Sequence, residues 1–113
     1  MHEMSIVSGI LQIAGDEARA AGAAVIRAVE VEVGELAGVE LEALRFCFAA
    51  ARQGTDATRD AELVVHEIPG RGFCAACNRE SALAYPAPVC TTCGALVNVT
   101  RGRELRVRSI TVD

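Results

Sequence analysis

The sequence predicts an α+β fold: two helices packed on a small mixed β-sheet, with a cysteine-rich lobe inserted before the last strand. Three observations predict it. Apolar residues recur at helical spacing in two stretches and alternate at strand spacing in three. These stretches follow one another as helix, strand, helix, strand, insert, strand. Four of the five cysteines fall in the insert, as two pairs. At 113 residues and 51 % hydrophobic content, the chain is one domain or one domain with a small module.

The first helix is expected from Met4 to about Ala21, with Ile6, Ile10, Ile13 or Ala14, and Ala18 on its apolar stripe, and Gly22 as its stop. Residues 25–33 alternate. Val25, Arg27, Val29, Val31 and Val33 share one face, and Glu30 and Glu32 share the other, so a strand with one wet face is expected there, ended by Gly34. A second helix is expected from about Val39 to Gln53, with the stripe Leu41, Leu44, Phe48 and Ala51, closed by Gly54. "AELVVHEI" at 61–68 reads as a strand stopped by Pro69. Residues 104–112 read as the last strand. Its apolar phase slips at Ser109, which suggests a bulge. Two amphipathic helices on one face of a small sheet bury these stripes most economically.

Charge divides the chain. Residues 1–70 hold 5 arginines and 12 carboxylates, net −7, and residues 71–113 hold 6 arginines and 3 carboxylates, net +3. The break lies near Pro69-Gly70-Arg71-Gly72, a linker by composition. The expected organisation is therefore an α/β domain from 1–70 plus 102–113, and a lobe from 71–101. No stretch reaches the ~20 apolar residues that span a bilayer. Glu3 sits where a secretory signal carries positive charge. A cytoplasmic protein is expected, in which cysteines point to metal or reactivity rather than to disulfides.

"CAAC" places Cys74 and Cys77, and "CTTC" places Cys90 and Cys93, with twelve residues between the pairs. Two residues between thiolates let both sulfurs of a knuckle reach one ion, and two knuckles close a tetrahedral four-sulfur site. A structural zinc ion in a zinc-ribbon-like lobe is the reading. Iron in a rubredoxin-like centre and a redox dithiol are the rivals; the latter accounts for one pair but not for a matched second. A closed thiolate shell leaves no position for a reacting water, so catalysis at this metal is not expected. The segment 73–100 has few apolar residues, so the metal would supply its stability. Cys47, alone in "LRFCFAA", reads as a small buried hydrophobe. His66 reads as a satisfied sheet histidine.

The chain opens "MHEMSI". The Met1 amine, the amide nitrogen of His2 and its imidazole can wrap one ion in adjoining chelate rings, with a fourth position from the Glu3 amide or a carboxylate. A planar set of this kind suits Ni(II) or Cu(II). The alternative is a solvated histidine, with Glu3 as a first-turn carboxylate favoured at a helix N-terminus.

These features occur together in one family. "MHEMS", "VEVGELAGVE", "LRFCF", the two knuckles and the closing "GRELRVRSI" resemble the HypA family, nickel metallochaperones of nickel–iron hydrogenase maturation, over essentially the whole chain. The resemblance implies transported nickel at His2, with the Met1 amine and the amides of His2 and Glu3 as companions. It implies a further acid, Glu40, near the nickel; the family often has proline next, where this chain has Leu41. It implies zinc on Cys74, Cys77, Cys90 and Cys93. The implied partners are a GTPase of the same pathway, the hydrogenase large-subunit precursor and, in some organisms, urease maturation proteins. Neither a membrane nor a nucleic acid is an expected partner. The other class of reading is a zinc-ribbon module binding nucleic acid or protein, for which the arginines at 101–108 are the only support. No nucleophile–base pair or phosphate loop is visible, so an enzyme is not expected.

Overall fold

The computed structural model describes residues 2–83 and 87–113. It has the expected α+β architecture, with elements α1 (Glu3–Ala20), β1 (Ile26–Gly34), α2 (Leu41–Ala51), a 3₁₀ turn (Arg52–Gly54), β2 (Glu62–Ile68), β3 (Arg71–Cys74), β4 (Arg79–Ala82), β5 (Asn98–Arg101) and β6 (Leu105–Val112). The strands form two three-stranded sheets, ordered β2–β1–β6 and β4–β3–β5. By packing, the chain falls into two compact units. One comprises Met1–Val31, Val39–His66 and Arg106–Asp113; the other comprises Glu32–Gly38 and Glu67–Leu105.

In the first unit, α1 buries Val7, Ile10, Ala14 and Ala18, a stripe at intervals of three and four. Val7 takes the buried place expected of Ile6, and Ile13 is half exposed. The helix ends as its sequence predicts. The Gly22 N–H donates to the Arg19 carbonyl and the Ala23 N–H to the Ala18 carbonyl, the paired bonds of a Schellman motif. α2 packs against α1 and buries Leu44 and Phe48. Its last expected turn tightens to 3₁₀, because Arg52 is drawn aside: its guanidinium donates to the Ala61 carbonyl and its own carbonyl accepts from the Thr58 hydroxyl.

β1 and β2 are neighbours joined through α2, a crossover of the kind that parallel strands require. β1 supplies Ile26, Val29 and Val31 to the core. Two details depart from simple alternation. Arg27, in phase with the valines, stays exposed at the sheet's end and holds Asp113 through two bonds of 2.7 and 2.8 Å. Glu32, expected on a wet face, is buried. In β6 the half-buried positions are Leu105 and Val107, then Ile110 and Val112, so the phase slips where expected, between Arg108 and Ser109.

The second unit is built differently. β3 pairs antiparallel with β4, from Arg71 opposite Ala82 to Cys74 opposite Arg79, and with β5 through a register shift between Arg71 and Gly72. Three glycines that are 36 and 32 residues apart converge here. A Cβ on Gly34 would lie 2.0 Å from the Gly102 carbonyl oxygen, and one on Gly102 would lie 2.6 Å from the Gly70 Cα. The backbone can cross at this distance only without side chains. Bonds from the Gly34 N–H to the Glu104 carbonyl and from the Leu36 N–H to the Gly102 carbonyl lock the crossing. No described helix is long and apolar enough to cross a membrane.

Candidate metal centre

β3 ends on Cys74, and the turn into β4 carries Cys77; Cys90 and Cys93 lie on the turn closed by the Val89–Leu96 bridge. All four sulfurs lie within 4.8 Å of one another, and none is in a disulfide. Sγ of Cys74 is 3.6 Å from Sγ of Cys93, and Sγ of Cys77 is 3.9 Å from Sγ of Cys90. A tetrahedral shell with metal–sulfur bonds of about 2.3 Å has sulfur–sulfur edges of about 3.8 Å. The cage therefore fits one tetrahedral ion, and both measured edges join one knuckle to the other.

The backbone prepares these sulfurs for negative charge. The Cys77 N–H donates to the Cys74 sulfur and the Thr92 N–H to the Cys90 sulfur, each at 3.4 Å. N–H groups from Cys93 and Thr92 bring the Cys90 thiol down to about 6, whereas sharing with the sulfurs of Cys93, Cys90 and Cys74 pushes Cys77 up to about 12. A soft divalent cation would displace the thiol protons that remain.

Each knuckle needs a left-handed residue directly after its second cysteine. Gly94 fills that place after Cys93, as its identity suggests, with φ +75°, and Asn78 fills it after Cys77 with φ 53°. The Asn78 role was missed from sequence, although asparagine is among the residues most tolerant of this conformation. Arg79 then donates to the Thr92 hydroxyl at 3.0 Å and ties the first knuckle to the second.

At the other candidate site, Met1 lies outside the described residues. His2 is the N-cap of α1, with extended backbone (φ −84°, ψ 110°); its exposed imidazole makes no capping hydrogen bond. Glu3 opens the helix, and its carboxylate accepts from the Glu40 backbone N–H at 3.3 Å. Glu40 is itself the N-cap of α2 and accepts from the Glu42 N–H at 2.8 Å. In a capping box the N-cap N–H is bonded by a carboxylate of its own helix; here Glu3 of α1 supplies it. Glu40 thus starts α2 without the proline that often follows it, and His2, Glu3 and Glu40 gather where the two helices begin.

Cys47 is half-buried on α2. His66 bonds Glu30 at 2.7 Å across β2 and β1, and the Ser109 hydroxyl donates to the other Glu30 oxygen at 2.9 Å. These bonds, His66 first, hold the Glu30 carboxyl below its ordinary range.

Two helices on a mixed sheet, together with a four-thiol lobe, define a small metal-binding protein. The chain belongs to the HypA family: the model described as "Hydrogenase/urease nickel incorporation, metallochaperone, hypA" matches residues 1–112. The resemblance drawn from the sequence is therefore correct, and the family is one of metallochaperones, not enzymes. The chain is similar to the hydrogenase maturation factor HypA of Chlorobaculum tepidum, 46 % identical over 114 residues and all of both chains. It is 42 % identical to that of Azotobacter vinelandii, again over all of both chains. In fold it is similar to the nickel metallochaperone HypA of Helicobacter pylori in solution, with TM-score 0.71, 26 % identity and coverage of 99 % of this chain and 97 % of that one.

Proposed function

We propose that this chain binds Ni(II) at its N-terminus and delivers it during nickel–iron hydrogenase maturation, while the four cysteines hold a structural zinc ion. The observation that carries the nickel reading is the meeting of His2, Glu3 and Glu40 at the start of both helices, with the imidazole unengaged by any other described residue. The Met1 amine, the His2 imidazole and the amides of His2 and Glu3 would form the chelate. The Glu3 carboxylate, bonded to the Glu40 N–H, would fix the direction in which the chain leaves it. A site at a chain end is open to ligand exchange, which delivery requires. Glu40 is the nearby acid.

The thiol cage supports zinc by its donor set and edges. Zinc would then hold residues 71–101, and nickel would belong to the domain formed by 1–70 and 102–113. The setting proposed is cytoplasmic. The proposed partners are a GTPase of the same pathway, the hydrogenase large-subunit precursor and, where urease is present, its maturation proteins.

Ligation requires the amine and imidazole to be deprotonated, so protons and metal compete for the same atoms. Nickel affinity is therefore expected to fall by about tenfold or more between pH 8 and pH 6. Competition titration with a chromophoric chelator measures it; an affinity flat over that range contradicts the proposed ligands.

A further inference from the structure

The geometry points to a peroxide-sensitive cage: oxidation joins Cys74 to Cys93 and Cys77 to Cys90 across the two knuckles, expels the ion, and leaves two disulfides in its place. The inference rests on the zinc proposed for the cage and concerns what the four sulfurs do when an oxidant reaches them. Four sulfurs pair in three ways. Cys93 is exposed and Cys77 half-buried, whereas Cys74 and Cys90 are buried. Joining Cys74 to Cys90 would pair the two sulfurs that solvent reaches least. Each contact across the knuckles instead sets an accessible sulfur against a buried one, Cys93 against Cys74 at 3.6 Å and Cys77 against Cys90 at 3.9 Å. The oxidant meets the first, and the second stands ready to close the bond. Each contact must shorten by about 1.5–2 Å to reach disulfide length.

Pairing inside a knuckle also joins an accessible sulfur to a buried one, and two features set the cross pairing ahead of it. The first sulfur of each knuckle already accepts an N–H of its own knuckle, from Cys77 to Cys74 and from Thr92 to Cys90, each at 3.4 Å, while its sulfur contact is with the other knuckle. The products also differ in what they hold together. Among the described residues the second unit buries Val33 and Leu83 beside the two cage thiols. Once the ion has left, bonds within "CAAC" and "CTTC" would leave the two turns untied. Bonds between them join residues 19 and 13 apart, one loop nested in the other. A longer closed loop restrains the unfolded chain more.

Hydrogen peroxide is the oxidant. The Cys93 thiolate attacks one peroxide oxygen, the O–O bond breaks, and the departing hydroxide takes a proton to become water. Cys93 is then a sulfenic acid. The Cys74 thiolate attacks its sulfur, the S–O bond breaks, and the oxygen leaves with a proton as a second water. Cys77 and Cys90 repeat the sequence. Four thiolates, two peroxides and four protons thus give two disulfides and four waters, with two electrons passing from sulfur to peroxide for each disulfide. The thiolate is the form that ligates, so the ion is released. A dithiol reductant returns the four thiols by exchange.

The test treats the full-length protein with hydrogen peroxide, blocks remaining thiols and cleaves with trypsin. Arg71, Arg79 and Arg101 bound two peptides, 72–79 with Cys74 and Cys77, and 80–101 with Cys90 and Cys93. The expected product is these two peptides joined as one mass that separates on reduction, with Cys74 assigned to Cys93 by partial reduction and alkylation. Zinc should appear in a chromophoric chelator as the joined mass forms, and the amides of 71–101 should stay dispersed. Two separate peptides, each lighter by two hydrogens, would place the bonds inside the knuckles and overturn the inference. So would a Cys74–Cys90 bond, oxidation to sulfinic acid with no bond formed, or four thiols that survive excess peroxide. Zinc counted before peroxide tests the occupancy separately: a chain that takes up no zinc contradicts that reading, and the peptides still decide the pairing.

Discussion

The two units are held together by different physics. In the first, Val7, Ile10, Ile26, Val29, Val31, Leu44 and Phe48 are buried from both helices and the sheet, an ordinary apolar core. In the second, the buried apolar side chains among the described residues are Val33, Cys74, Leu83 and Cys90, and two of those are thiols of the cage. A short apolar list must be supplemented, and here sulfur cage and glycine crossing do so. The contrast bears on the proposed roles: the site proposed for nickel sits on the unit with its own apolar core, and the cage that fits an ion sits in the unit with few buried apolar side chains.

Removal of the cage's ion should break this comparison most visibly. Structural zinc contributes about 10–16 kcal/mol of apparent binding free energy in small modules. Chelation, or Cys74→Ser, should therefore collapse the amide spectrum of residues 71–101 while leaving that of α1 and α2 in place. Unchanged shifts across 73–100 after zinc loss would contradict it.

Next come paired substitutions, one per unit. Gly34→Ala puts a Cβ on the Gly102 carbonyl, which cannot retreat, and should cost at least about 3 kcal/mol. Gly54→Ala meets nothing within 4 Å and should stay within about 0.5 kcal/mol. In the first unit Leu44→Ala should cost about 2–5 kcal/mol by cavity formation, with zinc content unchanged. Denaturant melts followed by probes in each unit distinguish the two; equal costs at Gly34 and Gly54 would remove the crossing from the account.

A smaller effect has the opposite sign. Gly9 lies mid-α1 with nothing within 4 Å of an added Cβ, so Gly9→Ala should stabilise by about 0.5–1 kcal/mol in thermal or denaturant melts. A loss would mean that this face of α1 is packed.

The smallest effect is acid-linked. Glu30 is held below its ordinary pKa by His66 and then Ser109, and Glu80 by Arg71 and then Thr100. A carboxyl lowered in the folded state stabilises above its unfolded value, about 4.3, and loses that contribution as pH falls through the folded value. Ser109→Ala should raise the Glu30 titration midpoint, so that the contribution is smaller and its loss is complete at a higher pH, while leaving Glu80 unmoved. Carboxyl carbon shifts measure both; movement of Glu80 would tie the units more closely than their cores suggest.

Much of this was legible in the sequence, for reasons that differ by region. α1, β1, α2, β2 and β6 are long enough for apolar period to mark them, and Gly22 marks a helix end in one residue. Cysteine spacing locates the cage because ligation constrains neighbours within four residues. β3, β4 and β5 have four residues each, too few to show a period, and their pairing is set by knuckles and glycines instead. The crossing of Gly34, Gly70 and Gly102 leaves no local signature, since only the tertiary approach demands glycine at each. The bond from the Glu40 N–H to Glu3 spans 37 residues and is likewise invisible until both helix starts are placed.

The most direct test of the nickel reading is a Ni(II) titration of zinc-loaded protein with Met1 confirmed intact by mass, beside His2→Ala. The account predicts one nickel per chain in the parent, none in the variant, and equal zinc in both. Equal nickel binding by the two proteins would contradict it, and would leave "MHEMSI" as no more than the start of a helix.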